Sequence, residues 1–160
     1  MRHILVTAFR NTSAELLVRG ISDYDILLLP NDKVLDSEKL ISTLSNRKYD
    51  SIISIGQRPN IKEKVHVETM AREGLLSIGT TFDCDMLVRL FEEAGIQAKL
   101  SCNAGTSYCN CLYFYGLRYL REKQPEAQMV FVHVPFQKNI TDFEHFRRQF
   151  LRVIAYIQNQ

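Results

Sequence analysis

Short runs rich in Val, Ile and Leu alternate along the chain with longer stretches in which apolar residues return every three or four positions. The short runs predict buried strands at His3 to Phe9, Asp25 to Leu29, Ser51 to Ile55, Ala98 to Cys102 and Met129 to Val134. The longer stretches predict helices at Ser13 to Gly20, Ser37 to Asn46, Asp83 to Ala94, Tyr108 to Lys123 and Asp142 to Gln158. Ser13 and Asp142 are suitable N-caps, and Gly20 and Gly95 suitable stops. Strands and helices taking turns indicate an α/β fold around a five-stranded, mostly parallel sheet. The loops Pro30 to Asp36, Gln57 to Val67 and Pro135 to Thr141 fall on one edge of that sheet. Ligands of open α/β sheets bind at the carboxyl edge.

Composition narrows the class. With 160 residues, 46% hydrophobic and 24% charged, the chain is expected to form one domain spanning 1–160 with a real core. Twenty basic and 18 acidic residues are interleaved to a net +2, which leaves no basic stripe for nucleic acid. The opening "MRHILVTAFRNTSAELL" lacks the features of a signal peptide, and no stretch nears the roughly 20 apolar residues of a membrane span. Cys84, Cys102, Cys109 and Cys111 are too few and too irregular for a disulfide framework or a paired zinc motif. A cytoplasmic protein without metal, nucleic-acid partner or membrane contact is expected.

In "NAGTSYCNCLYFYGLRYL" small, turn-prone residues give way at Cys109 to a long helix-like run. A thiol at a helix N-terminus meets unpaired N–H groups and the positive end of the helix dipole, so a depressed pKa and a nucleophilic role are expected for Cys109. A base is then required. His133, near the end of the last strand in "MVFVHVPF", emerges where that helix should begin. Glu63, in the polar loop "GQRPNIKEKVHVET", is the candidate to orient the imidazole. Core packing for His133 and a solvated surface charge for Glu63 remain the alternatives.

"AGTSYCN" resembles the cysteine motif of the pyroglutamyl peptidase I family (pyrrolidone-carboxylate peptidases), and "FVHVPF" resembles its histidine motif. "GQRPNIKEKVHV" is similar to its glutamate motif, with Lys64 in place of Arg, "EEAGIQAKLSCNAGT" to its approach to the cysteine, and "ILVTAF" to its opening. The resemblance implies a three-layer α/β/α sandwich with a mostly parallel, mixed sheet. It implies a cysteine exopeptidase that removes an N-terminal pyroglutamate from peptides without a metal or cofactor, and it leaves self-association open. Cys109, His133 and Glu63 map onto the family's catalytic positions, and Arg72 in "MAREG" onto an arginine near the oxyanion. Phe9 and Gln57 are the expected substrate-binding residues.

Departures touch the pocket wall. Ala8 stands for a motif glycine, the loop after "VTAF" is shortened to "RNTSA", Ser107 takes an aromatic position, and Glu68 replaces an asparagine. The segment before "TTFDCDML" has contracted. Two alternatives follow: a partner-binding relative without catalysis, or a hydrolase of another small amide or ester.

Overall fold

The computed structural model describes residues 1–160. In chain order the elements are β1 Ile4–Phe9, α1 Ser13–Val18, β2 Asp25–Leu29, α2 Lys33–Asn46, β3 Ser51–Arg58, β4 Lys64–Glu68, β5 Met70–Glu73, β6 Leu76–Gly79, α3 Cys84–Glu93, β7 Gln97–Ser101, α4 Tyr108–Lys123, β8 Gln128–Pro135 and α5 Phe143–Gln158. Six strands form the main sheet in the order β2-β1-β3-β8-β4-β7, and β5 and β6 form a separate hairpin. Within the main sheet, neighbouring strands run parallel except β4 and β8.

Strand alternation divides the apolar residues into two layers. Val130, Val132 and Val134 of β8, with Val65 and Val67 of β4, pack against α1, α3 and α5. Met129 and Phe131 point the other way, into a layer completed by Leu40 of α2 and by Leu112, Tyr113 and Leu117 of α4. A mostly parallel sheet is therefore observed, as the alternation of runs predicts, and its one antiparallel pair and its two helical layers are those the family resemblance implies. Helix α4 lies close on its sheet face because Gly116 carries no side chain: a Cβ there would stand 2.6 Å from Met129 Sδ.

Three differences from the sequence expectation have physical causes. The sheet has six strands, because "KVHVE" at 64 to 68 is a strand inside the expected loop Gln57 to Val67. Its two valines face one core and its Lys, His and Glu face the other way, so the segment reads as polar although its period is two. The contracted segment after it forms the β5–β6 hairpin, which buries Ala71 and Ile78 against the α4 layer. Helix α2 begins at Lys33 and not at Ser37, since the Asp32 side chain accepts the N–H groups of Val34 and Leu35 at 3.0 and 2.9 Å.

Asp36 in its first turn is wholly buried and accepts the N–H groups of Asn31 and Asp32 at 3.0 and 3.1 Å. The loop beside the sheet edge is thereby fixed from the helix. Asp32→Ala removes a cap that satisfies two otherwise unpaired N–H groups and is expected to lower stability by about 1 kcal/mol in urea unfolding, without change in the m-value.

Candidate active site

The carboxyl ends of β1, β3 and β8 lie side by side, with Gly56 of β3 in register with His133 of β8. In parallel neighbours at one register position, side chains leave the same face of the sheet. Even-numbered Gly56 leaves an opening there, and α4 fills it. A Cβ on Gly56 would lie 2.6 Å from Cys109 Sγ and 2.8 Å from the Phe131 ring. The thiol therefore rests over the bare backbone of β3, on the face from which His133 projects.

His133 is almost completely buried, and its ring packs on Phe131 with centroids 4.9 Å apart. Its Nδ1 lies 2.8 Å from Oε1 of Glu68, a carboxylate with no exposed surface. Against a carboxylate the Nδ1 carries the proton and donates it, which leaves Nε2 free as an acceptor. The same Oε1 accepts from Arg58 at 3.2 Å, and Arg58 also donates to the Asn103 carbonyl at 2.7 Å. Oε2 of Glu68 is buried without a partner.

Antiparallel pairing accounts for this choice of glutamate. His66 sits opposite His133 and Glu68 opposite Phe131, so residues 64, 66 and 68 share the α4 face. Glu63 has the other parity, with Val65 and Val67, and precedes the strand beyond the sheet edge. Its expected contact with His133 is absent. Its backbone is in the left-handed region (φ 55°), its N–H donates to Asn139 O at 3.2 Å, and its carboxylate accepts the Thr141 N–H. Glu63 thus ties the loop before β4 to the loop after β8. The carboxylate that meets His133, which the sequence reading missed, is Glu68. Its signal was available in the apolar–polar alternation of "KVHVE", which assignment of the segment to a loop concealed.

His66 is buried beside this pair with both ring nitrogens unpartnered. Burial, reinforced by Lys99, pushes its pKa down to about 4, so it is neutral at physiological pH.

Phe9, Gln57 and Cys109 line one cavity of about 430 Å³, together with Arg10, Asn31, Tyr108 and Phe136. These three expected residues are therefore brought together. Gln57 does not reach Glu63; its Oε1 accepts from the Ser13 N–H at 3.1 Å and so anchors the start of α1. Phe136 directly follows the end of β8 and supplies an apolar wall that the sequence reading missed. Arg72 does not line this cavity. Its main-chain N–H and C=O are clamped by the Asn110 amide at 2.9 and 2.7 Å, and it lines a second cavity on the other side of Ser107.

The thiol itself departs from expectation. Burial pushes Cys109 up to about 12, and the negative Glu68 adds to the effect, while Arg58 and the residue's own N–H pull the other way. The helix terminus is present, with Ser107 at the N-cap, but desolvation outweighs it.

A family model described as pyroglutamyl peptidase matches residues 63–145, which hold Glu68, Cys109 and His133. The chain belongs to the pyroglutamyl peptidase family. A pyrrolidone-carboxylate peptidase of Staphylococcus carnosus is 28% identical over 167 residues, covering 83% of this chain and 78% of its own. One from Lacticaseibacillus paracasei is 33% identical over 132 residues, covering 69% of this chain and 61% of its own. Among solved structures, the pyrrolidone carboxyl peptidase of Fervidobacterium islandicum superposes with a TM-score of 0.85 at 15% identity, covering 99% of both chains. A mutant of the Pyrococcus furiosus enzyme gives 0.81 at 19% identity, covering 96% of this chain and 97% of that one. The pyroglutamyl-peptidase fold thus extends over nearly the whole chain.

Two outcomes are expected from this geometry. Without substrate, Cys109 should alkylate slowly at pH 7 and speed up only above the free-thiol pKa of about 8.5, since a raised pKa keeps the proton on sulfur. Rates of iodoacetamide adduct formation against pH, located by mass spectrometry, measure this. Gly56→Ala inserts a carbon into the space of the thiol and the Phe131 ring. It should cost about 1–3 kcal/mol in stability and alter the labelling rate of Cys109 relative to Cys102.

Proposed function

We propose that the chain is a cysteine exopeptidase that hydrolyses the amide bond after an N-terminal pyroglutamyl residue, with Cys109 as nucleophile, His133 as base and acid, and Glu68 as the group that orients and charges the imidazole. The observation that carries the reading is the buried His133–Glu68 pair on the face occupied by Cys109, in a chain of this family.

The lactam ring occupies the cavity of Phe9, Gln57 and Phe136, with apolar walls against its methylenes and polar groups for its N–H and carbonyl. Because the thiol is held neutral, attack is coupled to proton transfer: Nε2 of His133 takes the thiol proton as Sγ bonds to the scissile carbonyl. The imidazolium that forms meets a carboxylate whose second oxygen is unpartnered, and this favours the transfer. The oxyanion lies at the start of α4, where the N–H groups of Tyr108, Cys109 and Asn110 have no acceptor within the helix. His133 then returns the proton to the leaving amine. Water, deprotonated by the same imidazole, hydrolyses the thioester and frees pyroglutamate.

Release of a fluorophore from a pyroglutamyl amide tests the reading. Cys109→Ala should abolish turnover, His133→Ala should lower kcat/KM by at least about 10³, and Glu68→Gln by about 10²–10⁴. Glu63→Gln should retain activity within about tenfold of the wild type. A wild-type chain that cleaves no N-terminally cyclised peptide overturns the peptidase reading and leaves the partner-binding alternative. Equal losses in the two glutamine variants would reject the role given to Glu68.

A further inference from the structure

A second cavity, of about 490 Å³, lies beside the first with Ser107 in the wall of both. We propose that it receives the leaving-group side of the substrate and that Lys33 and Arg72 in its wall select a carboxylate there. The proposal rests on the pyroglutamyl-amidase reading of the neighbouring site. A substrate whose ring fills the Phe9 cavity and whose carbonyl faces Cys109 must lead its remaining chain away from the ring. The Ser107 ridge is the shared boundary over which the chain can pass.

The charges in this cavity are unevenly paired. The ion pairs of the structure are Arg47–Asp25, Arg58–Glu68 and His133–Glu68, so neither Lys33 nor Arg72 has a carboxylate partner. Lys33 Nζ donates to the Thr106 carbonyl at 3.1 Å, which holds the ammonium next to the ridge and leaves it two further donors. Arg72 is held through its backbone by Asn110, the residue after Cys109, and the guanidinium's one hydrogen bond is to the Met70 sulfur, at 3.5 Å. The one carboxylate in the wall, Glu73, accepts from the Tyr115 hydroxyl at 2.7 Å and keeps its charge, which leaves two positive groups against one negative. The Lys33 ammonium, held at the ridge with donors to spare, and Arg72 in the same wall outnumber the one carboxylate there and favour an anionic group, and a guanidinium suits the two oxygens of a carboxylate.

The carboxylate has two sources: the side chain of an acidic residue after pyroglutamate, or the C-terminus of a dipeptide. Both are tested with the full chain by measuring pyroglutamate release. Isosteric pairs isolate charge: pyroglutamyl-glutamate amide against pyroglutamyl-glutamine amide, and pyroglutamyl-alanine against its amide. We expect kcat/KM to favour the charged member of at least one pair by about three- to tenfold at low salt. The preference should fall towards unity in 0.5 M NaCl. It should also fall in Lys33→Gln/Arg72→Gln, where a ratio of two substrates cancels any loss of folded enzyme.

Ratios at or below one in the wild type, or ratios unchanged in the double variant, overturn the inference. Cleavage of the neutral amides without charge preference would leave the peptidase reading standing and reject this one alone. Cleavage of none of the four peptides would reject both.

Discussion

The antiparallel pairing of β4 with β8 is the constraint on which the site depends. Every other neighbouring pair in the main sheet is parallel, and parallel strands alone would align carboxyl ends without setting two polar rows against each other. The reversal places His66 opposite His133 and brings Glu68 alongside, below the sheet edge and away from water. A carboxylate that deep is costly to bury, and here its compensation comes from an imidazole N–H and an arginine on a single oxygen. Asymmetric compensation makes a second positive charge on the imidazole welcome.

Helix α4 meets this arrangement from above. Its side chains complete one of the two apolar layers, while its first turn carries the thiol to the sheet. The two demands are met by omitted side chains: Gly116 lets the helix body settle on Met129, and Gly56 opens room for Sγ. The packing that brings the sulfur in leaves Cys109 half-buried in the cavity wall, and the desolvation that comes with it pushes the thiol pKa up despite the helix terminus. The raised pKa works against spontaneous ionisation of the thiol.

Much of this was legible in the chain. Val, Ile and Leu runs gave five of the six main-sheet strands, and the change of character at Cys109 marked the start of α4 at the right residue. The grouping of Cys109, Phe9 and Gln57 at one cavity, with His133 on the face occupied by Cys109, could be anticipated because each lies near the end of an element whose direction the pattern fixes. Glu63 was a different case. A glutamate in a motif can be located in sequence, but whether it reaches an imidazole depends on the parity of a strand not yet recognised. Arg72 similarly followed a register that the contracted segment had altered, and the Asn110 clamp that now places it joins residues 38 positions apart.

The alternation along β4 also bears on how reliably the strand finds its place. Moving "KVHVE" by one position against β8 would turn His66 and Glu68 into the layer now held by Val65 and Val67, and expose the two valines to the polar side. Such a slip buries ionisable groups among aliphatic neighbours with nothing to neutralise them, so misaligned pairing is penalised as it forms. The polar positions of β4 thus act as a proofreading element for assembly, holding the strand to the one alignment in which Glu68 meets His133.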